Sequence, residues 1–181
     1  MIKKLKMLGL LALFLLLLTC CVLEPQTEST EEPNSTESFE NNVEVTSISK
    51  LKKIEHFREG ALEHILEGEV NKKGQAVGFH YNQLPSKKGE IVERTKTKPN
   101  EDGIYEAEIT VDGKEKAGNN GKSTFFPDEW DTQDVIDAIN EAYEHKVHIH
   151  GNTFEGLTKD GIQIRMYLDQ NEKIISAFPI Y

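Results

Sequence analysis

Apolar positions recur along the chain with different spacings, and each spacing predicts a different element. From Met7 to Leu18 the run is almost purely apolar. Leu51, Ile54, Phe57, Ala61, Leu62 and Ile65 then recur at helical intervals, which predicts a helix with Gly60 as its weak point. At about 100° per residue, His64 falls about 20° from Phe57, on the rim of that apolar stripe. Short β-prone runs follow at Ala76 to Tyr81, Glu90 to Thr95, Ile104 to Val111 and Ser123 to Phe126, with Asp112-Gly113 as a hairpin signal.

Helical periodicity returns at Val135, Ile136, Ile139, Ala142 and Tyr143, predicting a second helix from Thr132 to about His145. Asp131 can cap it, because a short acidic side chain there can accept from the free backbone N–H groups of the first turn. Trp130 and Val135 can staple its entry. Lys146 to His150 reads as a strand. From Gly161 to Leu168 the spacing is two, placing Ile162, Ile164, Met166 and Leu168 on one face, and Asp169 to Glu172 turns the chain into a last strand, Lys173 to Phe178. Helices early and mid-chain with hairpins elsewhere predict an α+β fold: an N-terminal helix or helices, antiparallel β-sheets and a mid-domain helix.

The opening apolar run changes the picture of where the domain begins. Lys3, Lys4 and Lys6 precede it and Cys20 and Cys21 follow it, which resembles a bacterial lipoprotein signal over residues 1–20. With Cys21 as the lipidated residue, Leu18 and Thr19 suit the pattern while Cys20 stands where Gly, Ala or Ser is usual. With Cys20, both Leu18 and Thr19 are off-pattern, so the sequence leaves both cysteines open. An uncleaved anchor is the rival, since Met7 to Leu23 is 17 residues, the short end of what spans a bilayer. Either way the expectation is an exported chain tethered to a membrane. Residues 21–49 carry seven Glu and no Lys or Arg among Thr, Ser, Asn and Pro, a composition that buries little and repels itself; it is expected to be an acidic disordered tether. Residues 50–181 are left as one domain. The two adjacent cysteines can neither staple it nor hold a thiolate zinc site.

Charge first reads against nucleic acid, with 31 acidic and 21 basic side chains for a net −10. Much of that lies outside the domain, which holds 24 acids and 18 bases. Between Val70 and Lys98 there are seven bases against Glu90 and Glu93, a basic strip around His80 and a candidate path for a phosphate backbone.

Gly121-Lys122-Ser123 is not a phosphate-binding loop, because Lys116 stands where the pattern needs its first Gly and Pro127 follows where a helix should start. His148 and His150, two apart on a strand, could face the same way as metal ligands, with His145 or His80 as candidate thirds; an alternating polar strand carrying two histidines on its wet face fits as well. His64, His80 and Lys122 sit in three separate segments: Glu63-His64-Ile65-Leu66-Glu67-Gly68-Glu69, Val77-Gly78-Phe79-His80, and Gly121-Lys122-Ser123-Thr124-Phe125-Phe126-Pro127 with Trp130 after it. Read alone they are a stripe-edge residue, a strand position and a loop lysine.

The order of these segments, followed by the 131–145 helix, Gly161-Ile162-Gln163-Ile164 and Ile174-Ile175-Ser176-Ala177-Phe178-Pro179, resembles the bacterial EndoU domain over residues 63–181. That family comprises RNA-cleaving domains often found as toxin ends. The resemblance implies that His64 and His80 are the catalytic histidines and Lys122 the catalytic lysine. It places the closing hydroxyl-x-aromatic motif on Ser176 and Phe178, where the family usually has Tyr. Phe178 can stack on a base but offers no hydroxyl.

The implied activity is attack of a ribose 2′-hydroxyl on its own phosphate, leaving a 2′,3′-cyclic phosphate, with a preference for uridine. By resemblance His80 is the base and His64 the acid. DNA lacks the nucleophile and is not expected as a substrate. No metal or other cofactor is expected, although some relatives outside bacteria are reported to depend on manganese. A toxin role would bring a cognate immunity protein as a partner. The rivals are a metal- or ligand-binding lipoprotein using His148 and His150, and a degenerate EndoU fold that binds RNA or protein without cutting.

Overall fold

A computed structural model describes residues 45–181. The expected signal, Cys20 and Cys21, and the expected tether as far as Glu44 lie outside the described residues. The described chain is α+β with antiparallel sheets, and its packing begins inside the stretch read as tether. Thr46 donates to Asp131 through its backbone N–H at 2.6 Å and its hydroxyl at 2.7 Å, and Ile48 packs against the core.

The first helix is much shorter than its periodicity predicts. Only α1, Ala61–Leu66, is helical; Lys53 and Gly60 have φ of 56° and 77°, and Ile54 is exposed. Tertiary pairing explains this. Phe57 forms a parallel bridge to Ile174, with Arg58 N donating to Ile174 O and Ile174 N to His56 O, so these backbone groups bond across to the last strand instead of up a helix. Leu51 and Phe57 are still buried.

Next come β1 (Glu69–Val70) and β2 (Ala76–Val77), which pair as a small hairpin, and β3 (Gly89–Ile91). The central strand β4, Tyr105–Val111, alternates Tyr105, Ala107, Ile109 and Val111 inward as its sequence predicts. Asp112 and Gly113, with φ of 48° and 70°, turn it into β5 (Lys114–Glu115), and the N-terminal half of β4 pairs with β6 (Lys122–Phe125). In the small core under this sheet Phe125 stacks on Tyr105 and meets Phe79 edge-on.

The second helix, α2 (Thr132–Glu144), lies where the sequence places it. Asp131 and Asp134 form a reciprocal capping box, and Val135, Ile136, Ile139, Ala142 and Tyr143 are buried. It packs on the second sheet, β7 (Val147–His150), β8 (Thr153–Leu157), β9 (Gln163–Leu168) and β10 (Ile174–Pro179), in the order β10-β9-β8-β7. A Cβ on Gly156 would come within 1.9 Å of Ala142 O, so only glycine lets helix and sheet approach this closely. Ile162, Ile164, Met166 and Leu168 all face that larger core.

Candidate functional site

Two backbone hydrogen bonds join the histidine segments. Phe79 N donates to His64 O at 3.0 Å and His80 N to Ile65 O at 2.7 Å, fastening the loop after β2 along α1. The approach depends on Gly78, whose φ is 75° and where a Cβ would lie 1.9 Å from His64 O. On its other side the loop follows β6: Phe126 N donates to His80 O at 2.9 Å, and His80 Nδ1 donates to Thr124 O at 2.7 Å. The last strand closes the group, with Ser176 Oγ 3.2 Å from His64 Nε2 and Phe178 stacked on the His80 ring.

His64, His80, Lys122, Ser176 and Phe178, drawn from four separate segments, thus line one cleft of about 640 Å³. Tyr181 lines it too, but its hydroxyl donates to Lys98 O and is committed there. One side of the Phe178 ring already lies on His80.

The two histidines are in unlike surroundings. A backbone carbonyl accepts only from a protonated nitrogen, so the bond to Thr124 O fixes His80 with its proton on Nδ1 and leaves Nε2 as an acceptor. Burial, reinforced by the neighbouring Lys116 and His64 charges, holds its pKa well below the usual imidazole value. His64 is also held down by burial, but Glu69 opposes this: its carboxylate lies 3.1 Å from His64 Nδ1. Burial biases one imidazole towards its neutral form, with Nε2 then the acceptor, while the other has an anion that favours its protonated form.

Several lining residues carried no signal in the sequence. Lys116 is half-buried in the wall, donating to Ser123 Oγ at 2.7 Å; Lys122, also half-buried, lies 3.4 Å from Glu106. Asn152, Arg165 and Tyr167 enter from the second sheet. Glu69 lies five residues after His64, and nothing in its spacing marks it as that histidine's partner. By contrast, none of the seven bases between Val70 and Lys98 lines the cleft, whose cations are Lys116, Lys122 and Arg165.

His148 and His150 lie elsewhere, exposed on β7, with a register irregularity between them and His148 bonded to Gly151 O. Among the described residues no group of three His, Cys, Asp or Glu is placed to hold a metal.

Residues 58–181 match the family described as bacterial EndoU nuclease. The chain is 48% identical over 132 residues to a protein named "Toxin" from Bacillus cereus, a stretch that is 73% of this chain and 24% of that protein. The chain therefore spans about a quarter of the length of that relative. No solved structure gives a significant match. The family match takes in α1, the His80 loop, β6 and β10, which together form the walls of the cleft, and on that match this chain belongs to the bacterial EndoU nuclease family.

Proposed function

We propose that the domain cleaves RNA by transphosphorylation in this cleft. The observation that carries the reading is the asymmetry of the histidines: His80 offers an open Nε2 because Thr124 holds its Nδ1, and His64 is backed by the Glu69 carboxylate. His80 Nε2 takes the 2′-hydroxyl proton, the 2′-oxygen bonds to phosphorus, the bond from phosphorus to the 5′-oxygen breaks, and His64 gives a proton to that oxygen. The products are a 2′,3′-cyclic phosphate and a 5′-hydroxyl; a proton passed through solvent resets the pair. Lys122 stabilises negative charge as it grows on the phosphorane, a contribution typically on the order of 10²- to 10³-fold in rate.

Ser176 lies in the cleft beside His64, and the hydrogen-bonding capacity its hydroxyl keeps beyond His64 Nε2 can meet a pyrimidine edge, which supports uridine as the preferred base; Phe178 supports the reading by steadying His80. The proton transfers and charge stabilisation are all supplied by side chains, so the reaction needs no metal. The name of the Bacillus cereus relative supports a toxin role, with a cognate immunity protein as its partner. The lysine-led apolar run and the cysteines after it support export and a lipid tether at the membrane.

The test is incubation of the chain with a uridine-containing RNA oligonucleotide and its DNA counterpart in chelator. Cyclic-phosphate ends from RNA alone, lost in His64→Ala and His80→Ala, are expected. Cleavage that survives both substitutions, or binding without any cleavage, would sink the reading.

A further inference from the structure

One half-buried cation of the cleft has no part in the proton transfers or at the reacting phosphate. Lys116 follows β5, where a bridge between Ala76 and Lys116 ties down its main chain. Its Nζ donates to Ser123 Oγ at 2.7 Å and reaches Gly78 O at 3.5 Å, while the 1% exposed Ser123 donates to the same carbonyl at 2.9 Å. An ammonium has three N–H donors, and two of these go to neutral oxygens. The ion pairs among the described residues all belong to other side chains, so no described carboxylate lies at ion-pair distance from this charge. Burial lowers its pKa to about 8, which leaves it largely protonated at neutral pH.

A partly desolvated charge without a counter-ion at ion-pair distance is costly to keep, and a cleft wall is where an incoming anion can offset that cost. Lys122, in the same half-buried class, already faces Glu106. The loop between them brings both lysines into one cleft through three consecutive left-handed residues, Asn119, Asn120 and Gly121, with φ of 51°, 52° and 84°.

We propose that Lys116 is a phosphate-binding residue of the cleft: its third N–H takes an oxygen of a phosphodiester of the bound RNA, and Lys116 rather than Lys122 supplies most of the binding charge. This rests on the reading of the domain as RNA-cleaving. It adds a second cation whose work is holding the strand, distinct from the lysine at the reacting phosphate.

The experiment measures affinity of the full chain for an RNA oligonucleotide in which every uridine is replaced by 2′-deoxyuridine, titrated over a range of salt. Lys116→Gln is expected to weaken binding about ten- to a hundredfold, the size of one charge-assisted hydrogen bond. Its salt slope should fall by about 0.7, the value of one single-strand phosphate contact. Lys122→Gln should lose less, Lys116→Arg should keep the slope, and Lys159→Gln, exposed and outside the cleft, should match the parent. Lys116→Met, which retains the stem without the charge, serves if the Gln variant does not fold. Parent-like affinity and slope in the folded neutral variant overturn the assignment of Lys116. A parent chain that neither binds this oligonucleotide nor cuts ordinary RNA overturns the RNA reading itself.

Discussion

Phe178 lies flat against His80, with ring centroids 4.9 Å apart and 19° between the planes. Together with the bond from His80 Nδ1 to Thr124 O, the stacking restricts the imidazole to one orientation and one tautomer. Phe178→Ala should therefore act through His80. The cleavage rate should fall about tenfold or more while the pKa of His80 rises toward the ordinary value as water enters, and an NMR titration of the imidazole reads this directly. An unchanged His80 titration would contradict the coupling.

Glu69 is expected to show itself in the pH profile. Burial lowers the His64 pKa and the Glu69 carboxylate partly restores it, so removing that carboxylate lowers it further. If His64 must be protonated to act as the acid, Glu69→Gln should move the alkaline limb of kcat/KM to lower pH and leave the acid limb in place. Parent-like limbs in the variant would show that Glu69 does not act on the acid.

Stability should fall on the acid side because of His80. Its folded pKa lies well below the unfolded value of about 6.5, so between the two the unfolded chain binds a proton that the folded chain does not. The contribution is fully present above about pH 6.5 and declines by at most about 1.4 kcal/mol per pH unit below it, until the folded pKa is reached. Denaturant titrations at several pH values should show this slope in the parent, and His80→Gln should flatten it.

Gly78→Ala should harm fold and site together. A Cβ there meets His64 O at 1.9 Å with the backbone at φ 75°, so the loop must lift from α1 and break the bond from Phe79 N. The loss is expected to exceed about 2 kcal/mol, measured by chemical denaturation, and residual folded protein should cut poorly.

Asp131→Ala should lower stability by about 1 to 2 kcal/mol, because the side chain caps α2 and also receives both Thr46 donors. Deleting residues 1–49 removes Thr46 from that carboxylate and should reproduce part of the loss. Equal stability of the shortened and full chains would show that the Thr46 contact contributes nothing.

Much of the fold was legible where one element's own periodicity decides its state. The alternation through β4, the stripe and cap of α2 and the turn at Asp112-Gly113 all appear at their expected positions. The exception is instructive. Leu51, Ile54, Phe57 and Ala61 have helical spacing, yet Phe57 and its neighbours bond to Ile174, because a partner more than a hundred residues away offers the same backbone donors and acceptors. Spacing reports which residues are buried, and here Leu51, Phe57 and Ala61 are; it does not report the backbone conformation that buries them.

The candidate site divides the same way. By itself the sequence determined the family, through motifs read in order, and from it the candidates His64, His80, Lys122, Ser176 and Phe178. Only the tertiary structure decided that these five line one cleft and that His80 is held by Thr124 and Phe178 while His64 is backed by Glu69. It also decided that the cations of the cleft are Lys116, Lys122 and Arg165 rather than the 70–98 lysines. The reason is physical: the type of a side chain is local information, but its protonation, its partners and the charge that reaches it depend on burial and distance, which the chain acquires only by folding.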